Sequence, residues 1–409
     1  MTAGSIAGKT VIELGTMIAA PFATHILAEL GANVIKIEPP SGDTTRNLVR
    51  GGPSGTYIAY SRGKKSLCLD LAAKDGQEIF RRLVAEADVV IHNLSPGAAR
   101  KLKATYEDCV AANPDIIYCH IRGYGPGPMA EALASNPIAE AATGVMFANR
   151  VDGRPSRLGP SYHDQFAGCY AVIGVLSALL ANTQDTQSRR IELGLYETGL
   201  HVAARDLVGV QIKKHLTGKA DPEPSGEFSM PGYGAYETHD GRWIYLVMLT
   251  DAHWQKFWSA IGQADEINPA LATLRERKKQ RTAVESQIKA TLLEWSFDDL
   301  AERLDAVGFG FTEVLPPDEV LDAPQAREPK KFVEFDFGSY RFEVPEFPVQ
   351  IGTTPKPTAP PPLLGEHTAE ILESLKFSAA ARDTFAGEKT VVMADAGAPL
   401  WAPSRQAAE

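Results

Sequence analysis

The first forty residues constrain the fold most, because they read strand, helix, strand in unbroken order: "TVIEL", then "PFATHILAELG", then "NVIKIE". Pro21 suits the first turn of the helix and Gly31 its C-terminal end. The first strand is almost continuously apolar, as a parallel strand covered on both faces has to be. The same alternation goes on through "GQEIFRRLVAEA", "DVVIHN", "YEDCVAAN" and "DIIYCHIRGYG". Helical periodicity between apolar strands predicts a parallel α/β sheet. After Gly15, however, the chain continues "TMIAAP". The glycine-rich turn that brings a dinucleotide pyrophosphate against the backbone is missing, which excludes a nicotinamide enzyme of that kind.

A chain of 409 residues exceeds one ordinary core. The loop "KKHLTGKADPEPSGEFSMPGYG" is rich in Pro, Gly and Ser and marks a change of character. After it come the strand "RWIYLVML" and the helix "AHWQKFWSAIG", then helical segments at 280–294 and 297–307. Ser296 with Asp299 forms a capping-box signal for the last of these. The reading is a large Rossmann-like α/β domain from residues 1–224 with 326–409, and a smaller α+β domain at 225–325. "KKFVEFDFGSYRFEVPEF" alternates around Gly338-Ser339 as a hairpin does. The last thirty residues are Ala-rich and carry no assignable pattern.

Four cysteines, Cys68, Cys109, Cys119 and Cys169, show no paired spacing, which predicts reduced thiols in the cytosol. The N-terminus has no basic region leading into an apolar core, so no secretory signal is read there. A net charge of −10 argues against nucleic acid as partner. H-E-x-x-H, paired C-x-x-C, the Walker loop and the G-x-S-x-G elbow are all missing from the sequence.

Two features remain. Arg46, Arg50, Arg62, Lys64 and Lys65 follow one another with no acidic residue between, and "SPGAARKLK" adds Arg100, Lys101 and Lys103 directly after a strand. Basic loops at the C-terminal ends of parallel strands suit a ligand carrying several phosphates, or else are solvated surface. The stretch "GPSYHDQFAGCYAVIGVLSALL" places one carboxylate, Asp164, at the head of an apolar run from Phe166 to Ala181. That run is shorter than a membrane span. Its apolar residues lie all round a helix, which predicts burial on every side. Ser161 and Asp164 read locally as a capping box.

"GKTVIELGTMIAAPFATHILAELGANVIKIEPPSGDTTR", "SRGKKSLCLDL", "DVVIHNLSPGAARKL", "IIYCHIRGYGPG" and "PPLLGEHTAEIL" occur in this order. Together, over residues 7–375, they resemble the class III CoA-transferases, which include formyl-CoA transferase, carnitine CoA-transferase and 2-methylacyl-CoA racemase. The resemblance implies that Asp164, at the head of the long apolar helix, is the nucleophile. It implies CoA contacts at Ile18, Ala19, Lys64, Asn93, Leu94, Ser95 and Lys101. Coenzyme A enters as a substrate thioester, with no permanently bound cofactor and no metal. The implied ligands are an acyl-CoA, such as succinyl-CoA, and a carboxylic acid. The implied assembly is an interlaced homodimer, or a heteromer with a paralogue, in which the Pro-rich stretch 345–363 crosses between chains.

Departures from the family pattern bear on the reaction. Pro39 stands where some relatives have Arg, and "SMPGYGAYE" offers only Gly232 and Gly234 where formyl-CoA transferase has a glycine-rich flap. Formate and oxalate therefore fit poorly, and Tyr162, Phe228, Tyr233 and Tyr236 suggest a roomier aromatic pocket. The racemases use a His-Asp pair where this chain has Ser135 and Asn136. His163 is read as a loop or pocket residue, and His120 as a structural residue or pocket liner. The alternatives to transfer are α-proton racemase chemistry and a non-catalytic CoA-binding subunit.

Overall fold

The apolar segments at the N-terminus form the centre of a sheet. In the computed structural model, β1 (Thr10–Leu14), α1 (Ala19–Glu29) and β2 (Asn33–Glu38) are followed by α2 (Gly55–Ser61), β3 (Lys65–Leu69) and α3 (Lys74–Glu86). β4 (Val89–His92), α4 (Pro96–Lys101), α5 (Tyr106–Ala112) and β5 (Ile117–Arg122) complete the repeating pattern. The structure describes residues 4–49, 53–151, 153–181, 186–219, 230–329, 331–338, 340–351 and 359–394. They divide into two compact units, Met1–Leu207 with Phe332–Glu409, and Val208–Lys331.

The rest of the larger unit begins with α6 (Asn136–Ala142), α7 (Val145–Ala148) and the short pair β6 (Arg150–Val151) and β7 (Arg154–Pro155). α8 (Tyr162–Ala181), β8 (Arg190–Gly194) and α9 (Leu195–Val202) follow, and α10 (Ala204–Thr217) runs across the unit boundary. With β14, the two-residue strand Val391–Val392 near the end of the described chain, the sheet order is β14-β3-β2-β1-β4-β5-β8, and every pairing is parallel except that of β14. Alternation along each strand feeds two cores. Ile12, Leu14, Ile35 and Ile37 pack with α3 and α5 on one face, while Val11, Val34, Val89 and Ile91 pack with α1 and α8 on the other.

α1 and α8 approach closely because their facing residues are small. Ala19, Ala20 and Ala23 are buried on α1, and Ala167, Gly168 and Ala171 on α8. A Cβ at Gly168 would lie 3.0 Å from the Ala19 carbonyl oxygen and 2.9 Å from the Phe22 ring. α8 is not buried on every side. Phe166, Ile173 (57% exposed) and Leu180 (84%) form an outward stripe spaced by seven residues. Its 20 residues make it, among the described residues, the one helix long and apolar enough to cross a membrane. Its buried face is occupied by α1, β5 and α9.

The smaller unit contains β9 (Tyr233–Glu237), β10 (Trp243–Val247), α11 (Asp251–Ala260), α12 (Leu274–Lys279), α13 (Arg281–Leu292), α14 (Phe297–Ala306), β11 (Phe311–Glu313) and α15 (Pro317–Val320). Its antiparallel sheet, in the order β11-β10-β9, packs against a core built on Trp254, Phe257, Trp258, Ile288 and Leu300. Ser296 Oγ accepts the Asp299 N–H at 3.2 Å, the cap expected for α14.

The chain returns through the hairpin β12 (Phe332–Phe337) and β13 (Tyr340–Pro345), then α16 (Thr368–Ser374), α17 (Ala379–Gly387) and β14 (Val391–Val392). Sequence reading left these last two elements unassigned. Ala-rich "AAARDTFAG" has little amphipathic contrast, and a strand of only two residues carries no readable period. Residues 352–358, in the Pro-rich stretch expected to cross between chains, and Phe228 lie outside the described residues.

Candidate active site

Asp164 is the third residue of α8, and it is mostly buried. The start of its helix is held from another element. Asn136 Oδ1, at the head of α6, accepts the N–H groups of His163 (2.9 Å) and Asp164 (3.4 Å). The acceptor at this helix end is therefore a side chain nearly thirty residues upstream, where the local S-x-x-D pattern pointed to Ser161. Asn136 is fixed in turn by Glu140, a buried carboxylate that also accepts the Leu158 N–H.

Among the described residues no cation or hydrogen-bond donor engages the Asp164 carboxylate. Burial, and secondarily the nearby Glu140 charge, push its pKa up to about 6. The positive end of a helix favours its ionised form, so desolvation is the larger of the opposed effects. The group stays largely ionised at neutral pH, stripped of much of its water. Sequence reasoning singles out Asp164 but not the residues around it: Asn136 and Glu140 become its neighbours only through α6–α8 packing, which no spacing announces.

A cleft of about 320 Å³ opens at the C-terminal ends of β1 to β4, the edge at which open parallel sheets bind ligands. Its floor is apolar, with Leu14, Ile37, Leu69, Leu71, Leu94 and Leu102, and its rim carries Thr16, Asp43, Thr44 and Asp70. The loop that leaves β1 along this cleft leads into α1, whose first turn faces Gly168, one turn beyond Asp164. Met17 in that loop holds φ at +65°, a left-handed conformation that costs a non-glycine residue about 1 kcal/mol or more.

The residues expected at CoA fall in three places. Asn93 and Thr16 are locked reciprocally: Thr16 N–H donates to Asn93 Oδ1 (3.0 Å) and Asn93 Nδ2 donates to the Thr16 carbonyl (2.8 Å). Leu94 lines the cleft, and Ser95 caps α4 by accepting the Ala98 N–H. Ile18 and Ala19 form the entry to α1, where the Ile18 carbonyl accepts the Phe22 N–H at 2.7 Å. Lys101 is exposed in the last turn of α4, next to Leu102 on the cleft floor.

Lys64 lies elsewhere. It is buried, and its ammonium donates to Glu13 Oε2 (2.7 Å), the Pro21 carbonyl (2.8 Å) and Thr24 Oγ1 (2.8 Å). All its donors are engaged inside the protein, so in this arrangement it offers no charge to a phosphate.

Most of the basic run behaves the same way. Arg46 is buried in a two-bond contact with Glu38 beneath the Tyr57 ring. Arg62 is buried beside Glu29 and donates to the Pro345 carbonyl. Lys65 pairs with Glu370. Arg50 lies outside the described residues. The reading of this run as a phosphate-binding surface is therefore corrected. Its counter-charges come from β1, β2, α1 and α16, which a linear scan of charge cannot see.

Glu13 bridges Lys64 and Lys36, and Lys36 also holds Asp43 at 2.7 Å. Two ammonium groups thus share the Glu13 carboxylate, and only Lys36 has a second one. Burial falls hardest on Lys64, whose pKa is pushed down to about 8, while that of Lys36 is raised. This network ties the loops after β1 and β2 together under the cleft.

His163 is buried with Nε2 at 3.2 Å from Thr143 Oγ1, and its ring lies against Gly199. Burial lowers its pKa. In the smaller unit, Tyr236 is buried and donates to Glu285, while its oxygen accepts the Gly232 N–H. That hydroxyl supports the turn between residues 230 and 233 and is not a pocket wall.

Comparison with known proteins identifies the family. The sequence profile of CoA-transferase family III matches residues 6–368. The chain is 28% identical over 382 residues to succinyl-CoA–D-citramalate CoA-transferase of Chloroflexus aurantiacus, covering 89% of this chain and 92% of that protein. It is 30% identical over 393 residues to succinate–glutarate CoA-transferase of Agrobacterium fabrum, covering 91% and 96%. A CaiB/BaiF family protein from Brucella suis, 28% identical, superposes with a TM-score of 0.79 over 91% of this chain and 100% of its own. A parallel sheet with its cleft at the C-terminal edge, an uncompensated carboxylate opening an apolar helix, and a profile match over nearly the whole length lead to one assignment: the chain belongs to CoA-transferase family III.

Proposed function

We propose that this protein transfers CoA from an acyl-CoA donor to an acceptor carboxylic acid, with Asp164 as the covalent carrier. The observation that carries the reading is the state of Asp164: desolvated, at a helix N-terminus, and engaged by no cation or donor among the described residues. A structural carboxylate is normally paired when buried. An unpaired, fixed one is a nucleophile waiting for an electrophile.

The Asp164 carboxylate attacks the donor thioester carbonyl. The C–S bond breaks, leaving an acyl-aspartyl anhydride and CoA thiolate. The thiolate attacks the aspartyl carbonyl of the anhydride, releasing the donor acid and leaving an aspartyl-CoA thioester. The acceptor carboxylate then attacks that thioester, forming a second anhydride and freeing CoA thiolate. The thiolate attacks the acceptor's carbonyl, which yields the new acyl-CoA and restores Asp164. One thioester replaces another, so the balance needs no ATP. Asn136 and Glu140 contribute by holding the helix end, and so the carboxylate, in position.

The donor we favour is succinyl-CoA, since both named relatives are named for succinyl-CoA or succinate. CoA lies in the cleft over Leu14, Leu94 and Leu102, with Lys101 at the α4 end as its phosphate contact. A second chain, identical or paralogous, covers the Phe166–Ile173–Leu180 stripe. Analytical ultracentrifugation returning a monomer at micromolar concentration would remove that element.

The central test is chemical trapping. Incubation with succinyl-CoA followed by borohydride or hydroxylamine should modify Asp164 in a peptide map, and Asp164→Ala should give no adduct and no CoA exchange. Full exchange by Asp164→Ala would point instead to a non-catalytic CoA-binding subunit that works beside an active paralogue. Deuterium entering the α-carbon of a 2-methylacyl-CoA at turnover rate would point to racemase chemistry.

A further inference from the structure

One group of buried titratable side chains has no part in the transfer chemistry and lies directly under the cleft. His92 and His120 are register partners on β4 and β5. Their rings lie 4.1 Å apart at an angle of 32°, and Tyr118 meets His92 edge-on. All three point to the face of the sheet that carries the cleft floor, since Leu14, Val90 and Tyr118 share that core.

The hydrogen bonds fix the protons. The Leu94 N–H donates to His92 Nδ1 (3.3 Å), so that nitrogen is bare. His92 Nε2 therefore carries the proton and donates to the Tyr118 hydroxyl oxygen at 2.5 Å. The Tyr118 hydroxyl donates onward to the Ala104 carbonyl at 3.2 Å. His120 Nε2 faces the Leu94 carbonyl at 2.9 Å and can only donate. Both backbone polar groups of Leu94, its N–H and its carbonyl, are thus held by histidines, and the Tyr118 hydroxyl carries the chain of bonds on to Ala104, beyond the far end of α4. Between these anchors lie Ser95, Lys101 and Leu102, with Asn93 directly before the first: the cleft wall and its exposed cation.

We propose that His92, Tyr118 and His120 act as a neutral hydrogen-bonded clamp that positions residues 93–104 and thereby sets the affinity of the cleft for CoA. They are positioning residues and touch no reacting atom. The proposal rests on the reading that CoA occupies this cleft. Buried networks in which every donor has an acceptor hold one geometry, and a missing member leaves its neighbours unsatisfied.

The test titrates free coenzyme A into the full-length protein by isothermal calorimetry. His120→Leu should weaken binding about tenfold, the loss of one buried hydrogen bond with its partner left unpaired. His120→Gln, whose Nε2 can donate to the same carbonyl, should stay within about twofold of the parent protein. Tyr118→Phe removes only the hydroxyl, is the variant of choice if His120→Leu does not fold, and should weaken CoA about threefold or more. At saturating succinyl-CoA the rate of adduct formation at Asp164 should change less than about twofold in each, so the loss falls on binding and spares the chemical step. Leu94→Trp, which fills the cleft, should abolish CoA binding. Unchanged affinity in both His120→Leu and Tyr118→Phe, alongside loss in Leu94→Trp, would overturn the clamp while leaving the cleft as the CoA site. Equal losses in His120→Leu and His120→Gln would also overturn it. Unimpaired binding by Leu94→Trp would overturn the cleft reading itself, and the clamp's role with it.

Discussion

Lys64→Met separates the two readings of the basic run most sharply. If Lys64 met a phosphate, its loss would weaken CoA binding and leave stability nearly independent of pH. The structure has it fully buried, sharing the Glu13 carboxylate with Lys36, with a native pKa near 8 against an ordinary 10.5. Between those values the unfolded chain binds a proton that the native protein does not. Stability of the parent protein therefore rises with pH across that window, by up to about 1 kcal/mol per pH unit from this group. Over the whole window of about 2.5 units the rise sums to about 3 kcal/mol. Methionine does not titrate, so the stability gap between parent and variant should widen by about 1 kcal/mol from pH 8.5 to 9.5. Urea unfolding followed by far-UV circular dichroism measures it. Tryptophan fluorescence is the poorer probe, because four of the five tryptophans, Trp243, Trp254, Trp258 and Trp295, lie in the smaller unit, and the fifth, Trp401, lies outside the described residues. CoA affinity of the variant should stay within about threefold. A flat gap across this range together with a tenfold or greater loss of CoA affinity would refute the reasoning and return Lys64 to the ligand.

Two further outcomes follow from the site and its support. Asp164 must be ionised to attack and its pKa stands near 6, so kcat/KM for the donor should fall about tenfold per unit below that pH. Glu140→Gln, which removes the nearby charge, should move this acid limb to lower pH in a pH–rate profile. Gly168→Ala would set a Cβ 3.0 Å from the Ala19 carbonyl oxygen and 2.9 Å from Phe22. It should cost about 1–3 kcal/mol by thermal unfolding, because backbone cannot move aside as a flexible side-chain end can.

How much was legible depended on whether a signal was local. The parallel sheet could be read because continuous apolar strands between amphipathic helices have no other good solution. Ser296-x-x-Asp299 capped its helix as written. Ser161-x-x-Asp164 has the same spelling, yet the Asp164 N–H goes to Asn136, because α6 brings an amide oxygen to that helix end. Arg46, Arg62, Lys64 and Lys65 looked like a free cationic surface, yet their partners Glu38, Glu29, Glu13 and Glu370 come from other elements. In α8, hydrophobicity all round predicts burial all round, yet one stripe faces outward. Each miss was one of tertiary partnership.

The contrast between paired and unpaired charge gives the last prediction. Glu13, Glu38 and Asp43 are buried and their pKa values are lowered, because Lys36, Lys64 and Arg46 stand beside them. Asp164 is the reverse, raised from 3.8 to about 6 by burial without a counter-charge. A carboxylate penalised in this way contributes no penalty below its unfolded pKa, an increasing one as pH rises from about 4 to 6, and the full penalty above. The shift corresponds to about 3 kcal/mol, and partial solvent access brings the expected figure to about 1–3 kcal/mol. Asp164→Asn, nearly isosteric and uncharged, should therefore be more stable than the parent protein at pH 7 by about that amount, and no more stable near pH 4. It should also form no trappable adduct. Denaturant midpoints at the two pH values decide the matter: an Asn variant less stable at pH 7 would mean that the carboxylate has a partner and serves the fold. A gain in stability together with loss of CoA exchange would identify Asp164 as a charge kept at the fold's expense for its reaction.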